Sequence, residues 1–360
     1  MALVFMDGFD CYGTNGQDIS GNMVAAGWVQ YGNSYSDQTS SSNTRSGLGQ
    51  CMALVTNAPS THDIRINLPA LPEFFFGFAM NLNRYDQPGV QMFFHGLYDN
   101  SFGTTWENFQ LFVADNGAIT AVSNGAVLAT SEPGVVQNYA WHYLEGHVVV
   151  DGTAGSIAIS IDGSQVLSVT GVATKNPASP SKVNQLGFYS SYGNGGEGLL
   201  VDDFYVCDTT GSSLNSYLGD NIVYGVLPNG DGGTNAMTQV GGTVAGHYTS
   251  INELSPDGDT SYLTSNTPGT TELFTIPNLP AAALDVLAVQ VHADARREAG
   301  GIAKIQMVIS DGTNTVSGDA KSVPNTYATR SQIFENAPDG GAWTVAKVNE
   351  PLRVGVKVSA

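Results

Sequence analysis

Two short acidic turns carry residue types that could hold a ligand: Asn229-Gly230-Asp231-Gly232-Gly233 and Asp257-Gly258-Asp259. A Ca²⁺ ion takes six to eight oxygens from carboxylates, amides and carbonyls. Asp231, Asp257 and Asp259 could supply some of them, but neither turn has the downstream Glu of a full calcium loop. Turns that need positive φ have the same composition, and this second reading is preferred. Calcium is the only cofactor these residues suggest.

A second set could stack on sugar rings. Tyr31, Tyr35, Tyr98, Trp106 and Tyr192 stand in Gly/Asn/Ser-rich contexts, and the stretch through Tyr189 and Tyr192 is the most lectin-like. Exposed rings with amide and carboxylate neighbours suit apolar sugar faces. Packing against neighbouring subunits is the competing use for Tyr98, Trp106, Tyr189 and Tyr192, and it is slightly preferred. Trp28 and Trp141 are expected to fill the core.

Catalytic patterns are sparse. Glycoside hydrolysis on such folds needs two convergent carboxylates, commonly as Glu-x-Asp-x-x-Glu, and no such run occurs. Asp202 and Asp203 are adjacent, so on a strand their side chains should diverge. The six histidines are scattered; His142 and His147, five apart on one strand, are expected on opposite faces. There is no Gly-x-Ser-x-Gly elbow and no Cys-His pair at a telling spacing. These patterns predict a protein with no catalytic residues.

The elements that would position such groups are strands. Gly numbers 43 and charged residues make up only 12% of the 360, a balance that favours an all-β chain with many tight turns. Strands are predicted over 51–55, 74–80, 91–95, 109–113, 118–122, 183–189 and 198–206, and the Asn-Gly of 116–117 makes a hairpin turn. The polar stretch 32–47 reads as a surface loop. The run Trp141-His142-Tyr143-Leu144-Glu145-Gly146-His147 is a strand that feeds a hairpin closed by Asp162-Gly163. Beyond 208 come a turn-rich connector at 209–221 and a second set of strands at 222–227, 285–294, 302–309 and 352–358, with a short helical turn near 343–349.

The Trp141 unit resembles the core of concanavalin-like and laminin-G-like jelly rolls. The predicted architecture is therefore a jelly roll over 1–208, a connector over 209–221 and a smaller β-sandwich over 222–360. Three further stretches resemble, in their order, a family of tailed-bacteriophage virion structural proteins. They are Asp7-Gly8-Phe9-Asp10-Cys11-Tyr12; Val201-Asp202-Asp203-Phe204-Tyr205-Val206-Cys207-Asp208, running into Tyr217-Leu218-Gly219-Asp220; and Leu227-Pro228-Asn229-Gly230-Asp231, with Trp343 and Gly355-Val356-Lys357-Val358. Cys11 stands where that family commonly has His. The resemblance implies a virion component, tail-associated or surface-displayed as a fibre or decoration protein, made in the host cytoplasm. Its implied partners are other virion proteins and further copies of itself. The alternative is a tail component that binds host surface glycans for attachment.

Charge narrows the partners. The formal charge is −19; residues 1–208 hold 5 basic and 18 acidic residues and the remainder 8 and 14. No basic stripe exists, so nucleic acid is not an expected partner. No apolar run approaches bilayer length, and residues 1–7 lack the basic start and apolar stretch of a secretory signal. Cys11, Cys51 and Cys207 have no zinc spacing. Cys11 and Cys207 could meet at the ends of the first domain, but free thiols are expected of a chain made in a reducing compartment.

Overall fold

The computed structural model describes the chain except residues 1, 15–17, 33–36, 41–43, 46, 48, 57–61, 83–90, 191–195, 299, 301–303 and 360; for strand residues 32, 37–40, 55, 56, 196 and 197 it describes the backbone alone. The chain divides into two units, Met1–Gly225 and Val226–Ala360. Both are built from antiparallel sheets, and the first is a two-sheet jelly roll.

One sheet of the first unit runs in the order Ser164–Val172, Gly155–Ile161, Trp141–Val149, Glu73–Leu82, Gly196–Asp208, Cys51–Thr56 and Asp37–Ser40, with Leu3–Asp7 also on Gly196–Asp208. The other runs Ala126–Thr130, Ile119–Ser123, Thr105–Val113, Gln91–Asp99, Val183–Ser190, His62–Leu71 and Trp28–Gly32. Alternate residues point to opposite faces, and the inward rows are aromatic. Phe76 and Phe78 from the first sheet meet Phe94 and Phe188 from the second, with ring centroids 4.7–5.1 Å apart. Trp28 is in this core, as predicted, whereas Trp141 is half-buried against the small cluster of Cys51, Ala53 and Leu200. The stretch 32–47, read as loop, contains the strand Asp37–Ser40.

Residues 209–225 lie with the first unit, although the sequence divides the chain at 208 and 221. Buried acceptors on the jelly roll hold this segment. Gly219 N–H donates to Glu145 (2.8 Å), Leu218 N–H to the Tyr205 hydroxyl (3.0 Å), Val223 N–H to Asp203 (2.8 Å) and Gly225 N–H to Asp10 (2.6 Å). With Val223 and Gly225 N–H spent on side chains, 222–227 forms no strand.

Asp202 and Asp203 do not diverge as regular pleating predicts. A bulge interrupts pairing between Asp202 and Tyr205, and Asp203 takes φ 55°. Both carboxylates become buried, and Asp203 N–H donates to Asp202 Oδ1 at 2.9 Å. Burial, then the charges of Asp203 and Asp10, push the Asp202 carboxyl up to about 10. Burial likewise pushes Asp10 up to about 7 and Asp203 to about 6, the latter against the pull of Val223 N–H and Arg45.

An acid whose folded pKa is raised costs stability as pH climbs above its unfolded value. Asp202→Asn keeps the oxygen that accepts from Asp203 and removes the titration. The variant should therefore melt higher than the natural protein at pH 8, by at least about 2–4 °C, the shift made by ~1 kcal/mol in a unit of this size. The gain should shrink towards pH 4. A lower melting temperature at pH 8 would contradict this account.

The second unit has one sheet in the order Gly230–Asn235, Thr271–Thr275, Arg353–Ser359, Lys304–Ser310 and Thr315–Ser317, with Lys321–Ser322 on the edge of Lys304–Ser310. Two ribbons, Thr238–Val240 with Tyr262–Thr264 and Val289–Ala295 with Ala328–Phe334, complete it. Met307, Ile309, Phe334, Val348 and Leu352 pack around Trp343, whose indole N–H donates to Phe334 O at 2.8 Å. The helical turn expected near 343–349 is Val345–Asn349, capped by Thr344.

Candidate functional site on the outer face of the seven-stranded sheet

The register of the second jelly-roll sheet brings polar side chains from five strands onto the face turned away from the core. Arg65, Gly187, His95 and Gln110 are successive cross-strand partners. Asp63 and Tyr189 form the adjoining row, with Tyr31 beside Asp63. Asn67, Gln185, Leu97 and Glu107 form a third. The opposite faces of the same strands carry Ile64, Ile66, Phe94, Phe109, Leu186 and Phe188, all in the core.

His95 is the centre of this face. It is 1% exposed. Its Nε2 lies 3.1 Å from Asp63 Oδ1 and its Nδ1 2.8 Å from Glu107 Oε1. Burial works against a charged imidazole, but the hydrogen bonds and charges of Asp63 and Glu107 outweigh it and hold His95 above its ordinary pKa. Burial would likewise raise Asp63, yet His95 and Arg65 hold it below the usual carboxylate range. Arg65 grips Asp63 through Nε (3.0 Å) and a terminal nitrogen (2.5 Å), and its guanidinium lies 4.0 Å from the centroid of the Tyr31 ring. The result is a closed Arg65–Asp63–His95–Glu107 chain of alternating charge.

Gly187 makes room for it. A Cβ at this position would sit 2.6 Å from His95 Nε2 and 2.8 Å from Arg65 Cγ, so any side chain would displace both. Gln185, also on this face and 1% exposed, donates to Asn67 at 2.8 Å, and its own Oε1 is buried without a partner.

The chain of charges ends at a pocket. Thr105–Val113 pairs with Ile119–Ser123 only from Gln110 onward. There the neighbour turns back at Asn124 (φ 49°) and Gly125 (φ 76°), a two-residue turn with positive φ at both positions. The shortfall leaves an opening of about 200 Å³ lined by Glu107, Asn108, Phe109, Gln110, Asn124, Gly125 and Asn176. Glu107 spends Oε1 on His95, and its Oε2 has no hydrogen-bond partner among the described residues. One carboxylate and several planar amides therefore line a small polar cavity, although Asn108 is spent on Lys182 O and Asn176 N–H, Asn176 Oδ1 accepts from Ala178 N–H and Gln110 Nε2 donates to Met92 Sδ.

The aromatic candidates divide. Tyr98 and Trp106 are cross-strand partners whose rings stack at 6.1 Å, with the Lys182 ammonium 5.6 Å from the Tyr98 ring centroid. Tyr189 sits edge-on to His95 at 6.3 Å. Tyr192 and Tyr35 lie outside the described residues. A ring that the sequence reading missed is Phe102, 91% exposed. It stands on the turn joining Gln91–Asp99 to Thr105–Val113, where Asn100 Oδ1 accepts from Phe102 N–H (2.9 Å) and Thr104 N–H (3.2 Å). The Asp-Asn-Ser-Phe-Gly composition of that turn was the available signal.

The calcium candidates are engaged separately. Asp231 accepts from His247 and Tyr248 N–H, tying down the 3₁₀ turn His247–Ser250, and from Asn235. Asp257 accepts from Ser261, while Asp259 accepts from Arg296 and the Tyr327 hydroxyl. Among the described residues no group of three or more His, Cys, Asp or Glu is arranged to hold a metal ion. His142 and His147 each have their own carboxylate, Asp162 at 2.7 Å and Glu73 at 2.9 Å. No disulfide joins Cys11, Cys51 and Cys207 to one another. No helix among the described residues is long and apolar enough to cross a membrane.

No family model matches the chain, and no curated protein does. Solved structures are similar to parts of it. An endo-β-1,4-glucuronan lyase from the fungus Trichoderma reesei is 15% identical over 43% of this chain and 87% of its own, with a TM-score of 0.31. A carbohydrate esterase from a Shiga toxin-encoding bacteriophage is 13% identical over 56% and 99%, with a TM-score of 0.37. The carbohydrate recognition domain of Emp47p is 12% identical over 50% and 88%, with a TM-score of 0.34. The expectation of a chain without catalysis is corrected here. Lyases and an esterase stand among its structural neighbours, and neither the glycosidase carboxylate pair nor the serine elbow looked for above covers a lyase's chemistry.

Proposed function

We propose that Met1–Gly225 is a sugar-recognising jelly roll that takes its ligand at the pocket beside Glu107 on the outer face of the seven-stranded sheet. The observation that carries this is the pocket's lining. Sugars present neighbouring hydroxyls that both donate and accept, and planar amides and carboxylates set at fixed angles match them. Glu107, Gln110, Asn124 and Asn176 supply such groups around one small opening. At about 200 Å³ it is smaller than the roughly 300–1,000 Å³ that encloses a drug-sized ligand. It suits a single ring, with the rest of a glycan lying across the open face towards Tyr31 and Tyr189. The closed charge chain behind Glu107 keeps that carboxylate in one place, which reduces the entropy lost on binding.

The setting is part of the same proposal. The likeness of the Asp7–Tyr12, Val201–Asp208 and Leu227–Asp231 motifs to tailed-phage virion proteins supports a particle-borne protein whose sugar site meets the host surface. A glycan array probed with the full chain should show binding with Kd between about 1 µM and 1 mM. Gln110→Ala, at the pocket rim and outside the core, should weaken it roughly tenfold without changing the melting temperature. Absence of binding to every host-surface polysaccharide tested would refute the sugar reading. Absence of the protein from purified particles by mass spectrometry would refute the setting alone.

A further inference from the structure

We infer that the sugar taken by this site is uncharged: a neutral, hydroxyl-rich glycan and not a uronate or sulfated polymer. This rests on the sugar-binding proposal and narrows it. Three independent features point the same way.

The first is the field of the unit. Met1–Gly225 contains five basic and nineteen acidic residues, a formal charge of −14. A polyanion approaching such a surface is repelled at long range.

The second is that four of the five side-chain cations among the described residues of this unit, Arg45, Arg65, His95 and Lys175, are held by acceptors of the protein, and that the remaining one, Lys182, does not line the pocket. Arg65 is held by Asp63 and Tyr31. Both nitrogens of His95 are taken by Asp63 and Glu107. Arg45 pairs with Asp203 and Asp220 and covers the Tyr143 ring. Lys175 donates to the carbonyls of Asn176, Pro177 and Ser179. Lys182 lies over Tyr98 and does not line the pocket. A ligand carboxylate or sulfate entering the pocket would lose its water and gain no cation from the described residues that line it.

The third is that the one charged group in the pocket is itself an anion. Glu107 offers Oε2 as an acceptor, which suits a hydroxyl donor and opposes a second carboxylate. The unfilled demand of this face is for hydrogen-bond donors, and a neutral sugar brings them.

The test is calorimetric titration of the full chain with length-matched neutral oligosaccharides and oligouronates, at low and at high salt. Neutral sugars should bind at least roughly tenfold more tightly than uronates. Glu107→Gln, isosteric and still an acceptor for His95 through Oε1, should weaken neutral-sugar binding roughly tenfold because the charged acceptor Oε2 is replaced by an amide NH₂, which only donates. Its melting temperature identifies any folding defect, and Gln110→Ala then serves as the second variant at the same pocket. Uronates that bind as tightly as neutral sugars and are lost in Gln110→Ala would overturn this inference and leave the sugar site standing. Neutral-sugar affinity unchanged in Glu107→Gln would overturn it as well. If neither class binds, both readings fall together.

Discussion

Phe94→Ala should cost the first unit about 3–5 kcal/mol, the usual range for deleting a fully buried phenylalanine, and lower its melting temperature by roughly 6–20 °C. Phe94 is fully buried and stands between the two sheets. Its ring lies 4.7 Å from that of Phe76, 5.1 Å from Phe78 and 5.4 Å from Phe188, with Phe109 and Phe204 slightly farther away. Five aromatic neighbours, themselves held by both sheets, cannot collapse into the space left behind. The loss therefore combines transfer and cavity contributions. Hydrogen exchange followed by mass spectrometry should localise it: protection should fall in peptides covering His62–Leu71, Gln91–Asp99 and Val183–Ser190. A cost under about 1 kcal/mol would mean that the sheets do not share this core.

That core was legible from the sequence because it depends on local composition. The stretches 74–80, 91–95 and 183–189 announce themselves as strands through their aromatic and aliphatic content, and the structure places them there. What composition cannot reveal is an interruption of the pleat. The bulge after Asp202 turns two neighbouring carboxylates into one buried acidic cluster, a consequence of one residue's positive φ. The end of the first unit was hidden for a related reason. Residues 209–225 make few strand-like contacts and are held by hydrogen bonds to Asp10, Glu145, Asp203 and Tyr205, residues far off in sequence.

The site was hidden in a different way. A search along the chain for convergent groups finds pairs at short spacing, but a sheet brings groups together through register. Asp63, His95 and Glu107 come from three strands, and two of those strands touch each other only through Val183–Ser190. Two signals were nevertheless present. His62-Asp63-Ile64-Arg65-Ile66-Asn67 alternates strictly, with a charge or amide opposite each isoleucine, which places an ionic face on a strand whose other side is core. Gly187 stands inside a strand, between Leu186 and Phe188, a mark of close approach by another group.

Replacing His95 should have the second large effect, and pH gives it a signature. His95→Leu removes the cation between Asp63 and Glu107 and leaves the buried Asp63 to Arg65 alone. Breaking a buried ionic pair from one side costs about 3–5 kcal/mol, because the remaining charge keeps its desolvation penalty. The imidazole pKa is raised on folding above 6.5, so its contribution is complete below about pH 6.5 and is lost as pH rises through the folded value. Asp63 is lowered on folding from 3.8, so its contribution is complete above about pH 3.8 and is lost as pH falls through the folded value. The stability difference between the natural protein and His95→Leu should thus be widest between about pH 4 and 6.5 and should narrow on both sides. Asp10, Asp202 and Asp203 weaken the fold as pH rises, but they do so equally in both proteins and cancel in the difference. Urea unfolding at pH 5 and pH 8.5 measures it directly. A gap that stays flat, or grows towards alkaline pH, would mean that His95 is held neutral, and the alternating charge chain that fixes Glu107 would have to be abandoned.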